Sequence, residues 1–357
     1  MYRSIVTVLL CALCPVLYGA MASRPSSPAV SAKPKAVSAK PKKKEPSRVY
    51  LVHADELKYD RFRNNDAQVL RGSVQFEHDG AKLYCDSANF FENTNSFEAW
   101  GHVRMVQGDT LSLDSDYGYY EGNDQMLQAR DNVVLRHRTT TLYTNELYYD
   151  RIWNQGYYQE GGRLVDKQTT LTSDWGEYHT DTKEAIFNYD VTMTDKQFTL
   201  TTDSLHYNTQ TKEANIVGPS DIISGRSHIY SEMGFYNTDT EQARLLNRSV
   251  LDNEGRTLTG DSLWHNERTG ESEAFRNVVY TDTLNKNRLL CDYGYYNDST
   301  GYAMCTDRAV AIDFSQRDSL FIHADTFKVF SYYLNTDSVY RVMHGYHRVK
   351  AWRQDVQ

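Results

Sequence analysis

A motif of about 29 residues recurs through most of this 357-residue chain, and this repetition restricts the fold more than any other feature. Each copy reads L-x-small-D-x-L/G-x-Y and centres on an acidic or amide residue. The ten central residues are Asp55, Asp86, Asp116, Asn145, Asp174, Asp203, Glu232, Asp261, Asp292 and Asp325. Five spacings between them are 29 residues and the other four lie between 30 and 33. A fixed period of this length predicts stacked structural repeats that bury one another's apolar faces.

The columns of the repeat have the periodicity of β-strands. The residue three positions before the centre is aliphatic in all ten copies, and the residue one position before it is small. A spacing of two places both columns on one face of a strand. Nine members of the aliphatic column are predicted to point inward: Leu83, Leu113, Leu142, Leu171, Leu200, Ile229, Leu258, Leu289 and Ile322.

The central acid is predicted to mark a structural corner. The apolar columns two and four positions after it have the opposite parity, so the buried face changes sides and requires a bulge or bend. A carboxylate repeated at every corner is typical of turn chemistry rather than of acid–base catalysis. This prediction covers Asp86, Asp116, Asp174, Asp203, Asp261 and Asp292.

Each repeat is predicted to be a kinked β-hairpin, because polar turns such as His179–Lys183 follow the central strand and a Val-led strand returns. No sustained helical periodicity is present in residues 49–357, so the fold class is all-β. About ten such units make one elongated tandem-repeat domain over 49–357. The last unit is incomplete, which indicates either a partner strand or a longer natural chain.

The first 48 residues have a different composition. Residues 1–22 combine Arg3, an apolar run and an Ala-Met-Ala site, the pattern of a signal peptide. Residues 23–48 are rich in Pro and Lys and predict a disordered linker. Lys42, Lys43 and Lys44 in this linker could contact an anionic membrane surface peripherally.

The charge distribution excludes one class of partner. Residues 1–48 hold 9 bases and 1 acid, which leaves 39 − 9 = 30 bases and 47 − 1 = 46 acids in residues 49–357. A net charge of −16 argues against nucleic-acid binding through phosphate contacts. After signal cleavage three cysteines are left, an odd number that does not suggest a disulfide framework, and Cys85 and Cys291 fill the small-residue column.

Catalytic and cofactor motifs are missing from the repeats. The sequence contains no G-x-S-x-G, no H-E-x-x-H, no P-loop and, in the repeats, no C-x-x-C. His344 and His347 alternate along a strand-like stretch, without a third metal ligand nearby in sequence. The chain is therefore predicted to be non-enzymatic, with no catalytic residues, no cofactor and no metal.

The tandem units from Val52 to about Val349 resemble the LptA/OstA family, in particular its longer OstA-like members from Bacteroidetes-type bacteria. The resemblance implies a β-jellyroll of two sheets packed in a V. It also implies a periplasmic location, outer-membrane association, and a role in lipopolysaccharide transport and outer-membrane assembly. Acyl chains would lie between the sheets against the inward aliphatic column, and other bridge proteins would join through edge strands.

Two alternatives stay open at this stage. An inward column of leucines is also what the core of any β-stack requires, so the column alone does not distinguish a lipid groove from a core. A surface β-solenoid, either an adhesin or a polysaccharide-binding protein, is the second function class that the repetition allows.

Overall fold

A computed structural model describes residues 48–59, 67–194, 196, 198–224, 227–237, 239–253, 255–266, 268–297, 299–333 and 340–355. The predicted signal peptide (1–22) and all but the last residue of the predicted linker (23–48) lie outside these ranges. No helix in the described part of the chain has the length and apolarity needed to cross a membrane.

The described residues form 24 β-strands. They are β1 (Tyr50–His53), β2 (Glu56–Tyr59), β3 (Gln68–His78), β4 (Ala81–Phe91), β5 (Ser96–Gln107), β6 (Leu111–Glu121), β7 (Met126–His137), β8 (Thr140–Asp150), β9 (Gln155–Tyr158), β10 (Gly162–Asp166), β11 (Thr169–Ser173), β12 (Trp175–His179), β13 (Glu184–Thr194), β14 (Phe198–Asn208), β15 (Glu213–Ser224), β16 (Ser227–Asn237), β17 (Gln242–Asn253), β18 (Arg256–Asn266), β19 (Glu271–Asp282), β20 (Asn287–Asn297), β21 (Tyr302–Asp313), β22 (Asp318–Tyr332), β23 (Tyr340–Tyr346) and β24 (Lys350–Asp355). This architecture confirms the predicted all-β fold class. The count of about ten repeats and the single domain over 49–357 stay predictions.

Most strands pair antiparallel with their sequence neighbours, and short polar turns explain this connectivity. Asp79 and Gly80, between β3 and β4, both have positive φ angles, as a two-residue type I′ hairpin turn requires. At the opposite ends of the strands, an Asn or Asp side chain fixes the turn. The Asn208 amide oxygen, for example, accepts hydrogen bonds from the backbone N–H groups of Gln210 and Thr211, both at 2.9 Å.

A β-bulge interrupts each long strand pair next to the central acid of the repeat. Between β3 and β4, Arg71 pairs with Ser87 and Val74 pairs with Cys85, so two residues of β3 oppose Asp86 alone. The register shifts at the corresponding place in every pair from β3–β4 to β7–β8 and from β13–β14 to β21–β22. The extra residue reverses the strand's inside and outside faces.

The bulges therefore divide the sheet of each unit into two halves that share one core. We call the part that carries the aliphatic column the leucine half, and the part that carries the aromatic column the tyrosine half. Phe76, in the leucine half, lies with its ring centroid 5.6 Å from that of Phe90 and 4.9 Å from that of Phe97, both in the tyrosine half. The two halves thus pack face to face there, as in the predicted β-jellyroll.

The chain forms two compact units. The N-terminal unit contains β1–β10 and β12, and the C-terminal unit contains β11 and β13–β24. Both units use the same bulged strand pairs and the same division into halves.

The cysteines correct one expectation from the sequence. Cys291 and Cys305, on β20 and β21, form a disulfide with a Cα–Cα distance of 6.0 Å, although the odd count argued against disulfides. The small-residue column concealed this pairing, because Cys305 belongs to a different column and the two meet only across adjacent strands. Cys85 is free and buried, and burial raises the pKa of its thiol to about 12.

The protein without residues 1–22 is expected to show no thiol that reacts with Ellman's reagent in the native state. One thiol should react in denaturant, and three after reduction, because burial shields Cys85 and the other two cysteines are bonded. A native thiol that reacts at once would contradict the burial of Cys85.

Replacing both bridged cysteines, Cys291→Ser with Cys305→Ser, is expected to lower the free energy of unfolding by about 3 kcal/mol, because the 14-residue separation closes a short loop. Urea denaturation measures the change. The matched control, Cys85→Ala, removes a buried cysteine but keeps the bridge, so its unfolding midpoint should fall less than that of the double variant. Equal midpoints for the double variant and the unmodified protein would contradict the pairing.

Candidate functional site: the trough between the two halves of the sheet

A continuous apolar row lines the inner face of the leucine half. In the C-terminal unit Leu200 lies between Met193 and Ile222 in the strand register, and Ile229 follows opposite Ile222. The row continues through Leu251, Leu258, Tyr280, Leu289, Ala311, Ile322 and Ala351. The N-terminal unit has a corresponding row of Phe76, Leu83, Met105, Leu113, Leu135, Leu142 and Leu164. Residues of the aliphatic column thus make up every second position of each row, and the intervening strands supply the residues at the positions between them.

The first part of the C-terminal unit is closed. Leu171, Met193, Leu200 and Ile229 are fully buried in its leucine half. In the facing half Tyr207 is 2% exposed and Tyr236 is 6% exposed. Side chains fill the interior here, so the described residues of 168–174 and 184–236 form a packed core.

The remainder of the C-terminal unit is open. Leu258, Leu289 and Ile322 are only half-buried, although they pack against the core of Leu263, Val278 and Phe327. In the tyrosine half Tyr296 is 38% exposed and Met343 is 41% exposed. Tyr296 occupies the same column as the buried Tyr207 and Tyr236. Because all three are tyrosines, the difference in their exposure comes from their position along the sheet and not from residue type. We call this half-exposed stretch, from Leu245 to Ala351, the open trough.

Arginine side chains lie beside the open trough. Burial raises the pKa of the Tyr280 phenol, and the positive charges of Arg256 and Arg341 act against this rise. Arg256 lies in the leucine half and pairs with the buried Asp282 at 3.2 Å, whereas Arg341 lies on β23 in the tyrosine half and is exposed. Because Asp282 offsets the charge of Arg256, Arg341 is the exposed cation beside the open trough, in a region of the chain whose net charge is −16.

The nine predicted inward residues all lie on the inner face, but their burial differs. Leu83, Leu113, Leu171, Leu200 and Ile229 are buried, whereas Leu142, Leu258, Leu289 and Ile322 are half-buried. Only the second group is accessible to a ligand in this conformation, and three of its four members lie in the open trough. Val52, which heads the column in the sequence, is exposed.

The six predicted corner acids lie opposite the bulges, and none of them faces the trough. Asp86 pairs with His102 at 2.7 Å, Asp116 accepts a hydrogen bond from Asn132 at 2.6 Å, and Asp261 accepts one from Asn277 at 3.0 Å. Arg308 donates two hydrogen bonds to Asp292, at 2.6 and 2.7 Å, and so lowers the pKa of that carboxyl. Each of these partners is a bulge residue of the next strand.

Asp174 and Asp203 meet the backbone at their corners. The N–H of Asp174 donates to the Tyr189 carbonyl at 3.0 Å. Beside Asp203 lies Gly218, with φ +92°, where an added Cβ would come within 2.7 Å of the carboxylate. Glycine is therefore required there for both conformation and space.

The left-handed pair of bulge residues escaped sequence reasoning. His102, Asn132 and Arg308 have positive φ angles, and so does the residue before each of them. This left-handed backbone conformation is energetically unfavourable for most residues other than glycine. Their only sequence signal is a polar or glycine pair before the Val of the returning strand. Across the described residues, no group of three or more His, Cys, Asp or Glu side chains is arranged to hold a metal ion.

Comparisons with known proteins point to one family. The family model for OstA-like protein matches residues 46–203 and 189–261. No curated protein matches the chain. Among solved structures, the chain is similar to the crystal structure of LptH, the LptA homologous periplasmic component of the conserved lipopolysaccharide transport device from Pseudomonas aeruginosa. The two are 17% identical, the match covers 28% of this chain and 76% of that chain, and the TM-score of 0.26 supports no further argument.

The corner pair of Asp86 and His102 is expected to be visible in the titration of the histidine. The hydrogen bond from the imidazole to Asp86 raises the pKa of His102. Because the folded-state pKa is raised, the pair stabilises the fold below the unfolded pKa of about 6.5, and this stabilisation is lost as pH rises through the folded pKa. NMR titration of Asp86→Asn should return His102 to its ordinary range, whereas Asp203→Asn should not change it. An unshifted His102 in the unmodified protein would contradict the pair.

Truncation should separate core from trough. Leu200→Ala is expected to lower the free energy of unfolding by about 2–5 kcal/mol, because the side chain is 1% exposed and its removal leaves a cavity. Leu289→Ala should cost about 1 kcal/mol or less, because water already reaches that side chain. Urea denaturation compares the two variants, and equal losses would contradict the distinction between closed and open stretches.

Proposed function

The chain belongs to the OstA-like protein family, and from this membership and its half-open interior we propose that it is a non-catalytic lipid-binding scaffold in lipopolysaccharide transport and outer-membrane assembly. The observation that carries the proposal is the open trough. Its apolar side chains form a continuous row on the inner face, yet they are only half-buried. Residues of the same columns in the first part of the unit are fully buried. A contiguous apolar surface of this kind is typical of a binding site rather than of a finished core.

An acyl chain fits the chemistry of this trough. Burial of one CH₂ group contributes about 0.8 kcal/mol, so an acyl chain of 12–14 carbons could contribute at most about 11 kcal/mol. Leu258, Leu289 and Ile322 would contact it from the leucine half, and Tyr296 and Met343 from the tyrosine half. The buried members of the aliphatic column, such as Leu171 and Leu200, would act as core instead.

The charges support an amphiphile with an anionic head group. The acidic body would repel phosphates over most of its surface, so the head group would lie outside the apolar floor. Arg341, which is exposed beside Tyr280, offers a cation at the tyrosine half of the open trough. Lipopolysaccharide, which combines acyl chains with phosphates, has both features.

The location and partners follow from the same proposal. The chain would be exported by its signal peptide and act in the periplasm without a cofactor. It would associate with the outer membrane through its cargo or through Lys42–Lys44. Other β-jellyroll bridge proteins would pair with the outermost strands, since β1 and β2 bond to β3 and both β23 and β24 bond to β22. Exposed strand edges present unpaired N–H and C=O groups to a partner strand.

Photo-crosslinking to lipopolysaccharide tests the proposal. A benzophenone amino acid in place of Leu289 is expected to label the lipid, because that side chain lines the open trough. The matched control is Arg288, the adjacent exposed residue that points to the opposite face of the same strand. A second control at Leu200 probes the closed stretch.

Labelling at position 289 without labelling at 288 or 200 would support the lipid trough. Labelling at position 288 alone, or no labelling at 289 in a correctly folded protein, would overturn it. The folding control is the circular dichroism spectrum of each substituted protein, compared with that of the unmodified protein.

A further inference from the structure

A second concave site lies in the C-terminal unit, away from the inward columns. It is a shallow depression of about 470 Å³ that is more open to solvent than enclosed. Aromatic rings of Tyr295, Tyr302, Phe330 and Tyr332 form most of its lining. The ring centroids of Tyr302 and Phe330 are 5.5 Å apart, and those of Tyr295 and Tyr302 are 6.1 Å apart.

The other lining side chains are neutral hydrogen-bonding groups. Asn297, Thr300 and Ser331 come from the β20–β21 turn and from the end of β22. Local bonds hold them in place: Thr300 donates to the Asn297 side chain at 3.1 Å, and Ser331 donates to the Gly301 carbonyl at 2.7 Å. The site is therefore built on a hydrogen-bonded turn.

The chemistry of the described lining residues restricts the ligand. Among the residues that the structure describes, no Lys, Arg, Asp or Glu side chain lines the pocket. Glu271 lies beside it and accepts a hydrogen bond from the Tyr295 hydroxyl at 2.9 Å, which adds negative rather than positive charge nearby. A phosphate or carboxylate would be repelled there, and a hydrocarbon chain would leave the hydroxyl and amide groups without polar partners on the ligand.

We propose that this pocket binds a neutral sugar ring of a glycan. One face of a pyranose ring presents C–H groups that pack on aromatic rings, and its hydroxyls at the edge can exchange hydrogen bonds with Asn297, Thr300 and the tyrosines. The proposal concerns a surface outside the lipid trough, and it does not depend on lipid binding. The glycan can come from a free polysaccharide or from the sugar portion of lipopolysaccharide, which share this chemistry.

Saturation-transfer NMR of the protein without residues 1–22 tests the site. The probes are maltohexaose, cellohexaose and mannohexaose, as neutral glycans, and the deacylated, dephosphorylated core oligosaccharide of lipopolysaccharide. Magnetisation should pass to ring C–H protons of at least one probe at millimolar concentration. A response confined to the core oligosaccharide would identify the lipopolysaccharide sugar as the source, and a response to the hexaoses would identify a free polysaccharide.

The variants Tyr302→Ala and Tyr332→Ala are each expected to raise the dissociation constant about tenfold. This factor corresponds to the loss of one aromatic contact of about 1.4 kcal/mol. Tyr332→Phe should weaken binding less than Tyr332→Ala, because it retains the ring and loses only the hydroxyl. The matched control is Tyr148→Ala, which removes a ring stacked on Tyr157 at 5.0 Å in the N-terminal unit. Circular dichroism checks the fold of each variant.

Two results would overturn the proposal. One is the absence of saturation transfer to all four probes at concentrations up to about 10 mM. A dissociation constant above this value corresponds to a binding free energy of under about 3 kcal/mol. The other is equal loss of binding in Tyr148→Ala and Tyr332→Ala. Failure of the lipid crosslinking experiment would leave this result unaffected, because none of the side chains assigned to lipid contact in the trough lines this pocket.

Discussion

The bulge beside the central acid is the constraint on which the rest of the structure depends. A strand that alternates inside and outside can bury only residues of one parity, yet each repeat has apolar residues of both parities on either side of the acid. One extra residue at the corner changes the parity and lets both halves of the strand face the same interior. Without this insertion either Leu200 or Tyr207 would point to solvent.

The corner must be energetically supported, because at most of the bulges two consecutive residues lie in the left-handed region. The central acid supplies part of this support, since its carboxylate accepts hydrogen bonds from bulge residues such as Asn132 and Arg308. This accounts for an acid that is repeated although it catalyses nothing in our proposal. The near absence of proline from the strands has a separate cause, because the hydrogen-bond ladders of the strands need backbone N–H groups. Pro219 follows Gly218 at a bulge, where a missing N–H interrupts little.

Sequence reasoning reached the strand periodicity, the change of face and the position of the corner, because each is repeated many times and therefore stands out. It could not separate Leu200 from Leu289. The two residues occupy the same column with the same chemistry, and their burial differs only through packing from the facing half. The pairing of Cys291 with Cys305 and the outer aromatic pocket at Tyr302 were missed for a related reason. Each arises once, from side chains on different strands, so the repeat contains no signal for it.

The division of the interior into closed and open stretches is the central claim for function, because a uniformly packed core could not accept a lipid. The most direct measurement is native mass spectrometry of the mature protein after gentle purification. It would compare the unmodified chain with Ala311→Phe, which would place a large side chain on the floor of the open trough. Our account predicts a bound acylated, phosphorylated lipid in the unmodified protein and its loss in the variant. The absence of any bound lipid from the unmodified protein, or equal occupancy in a folded variant, would contradict it.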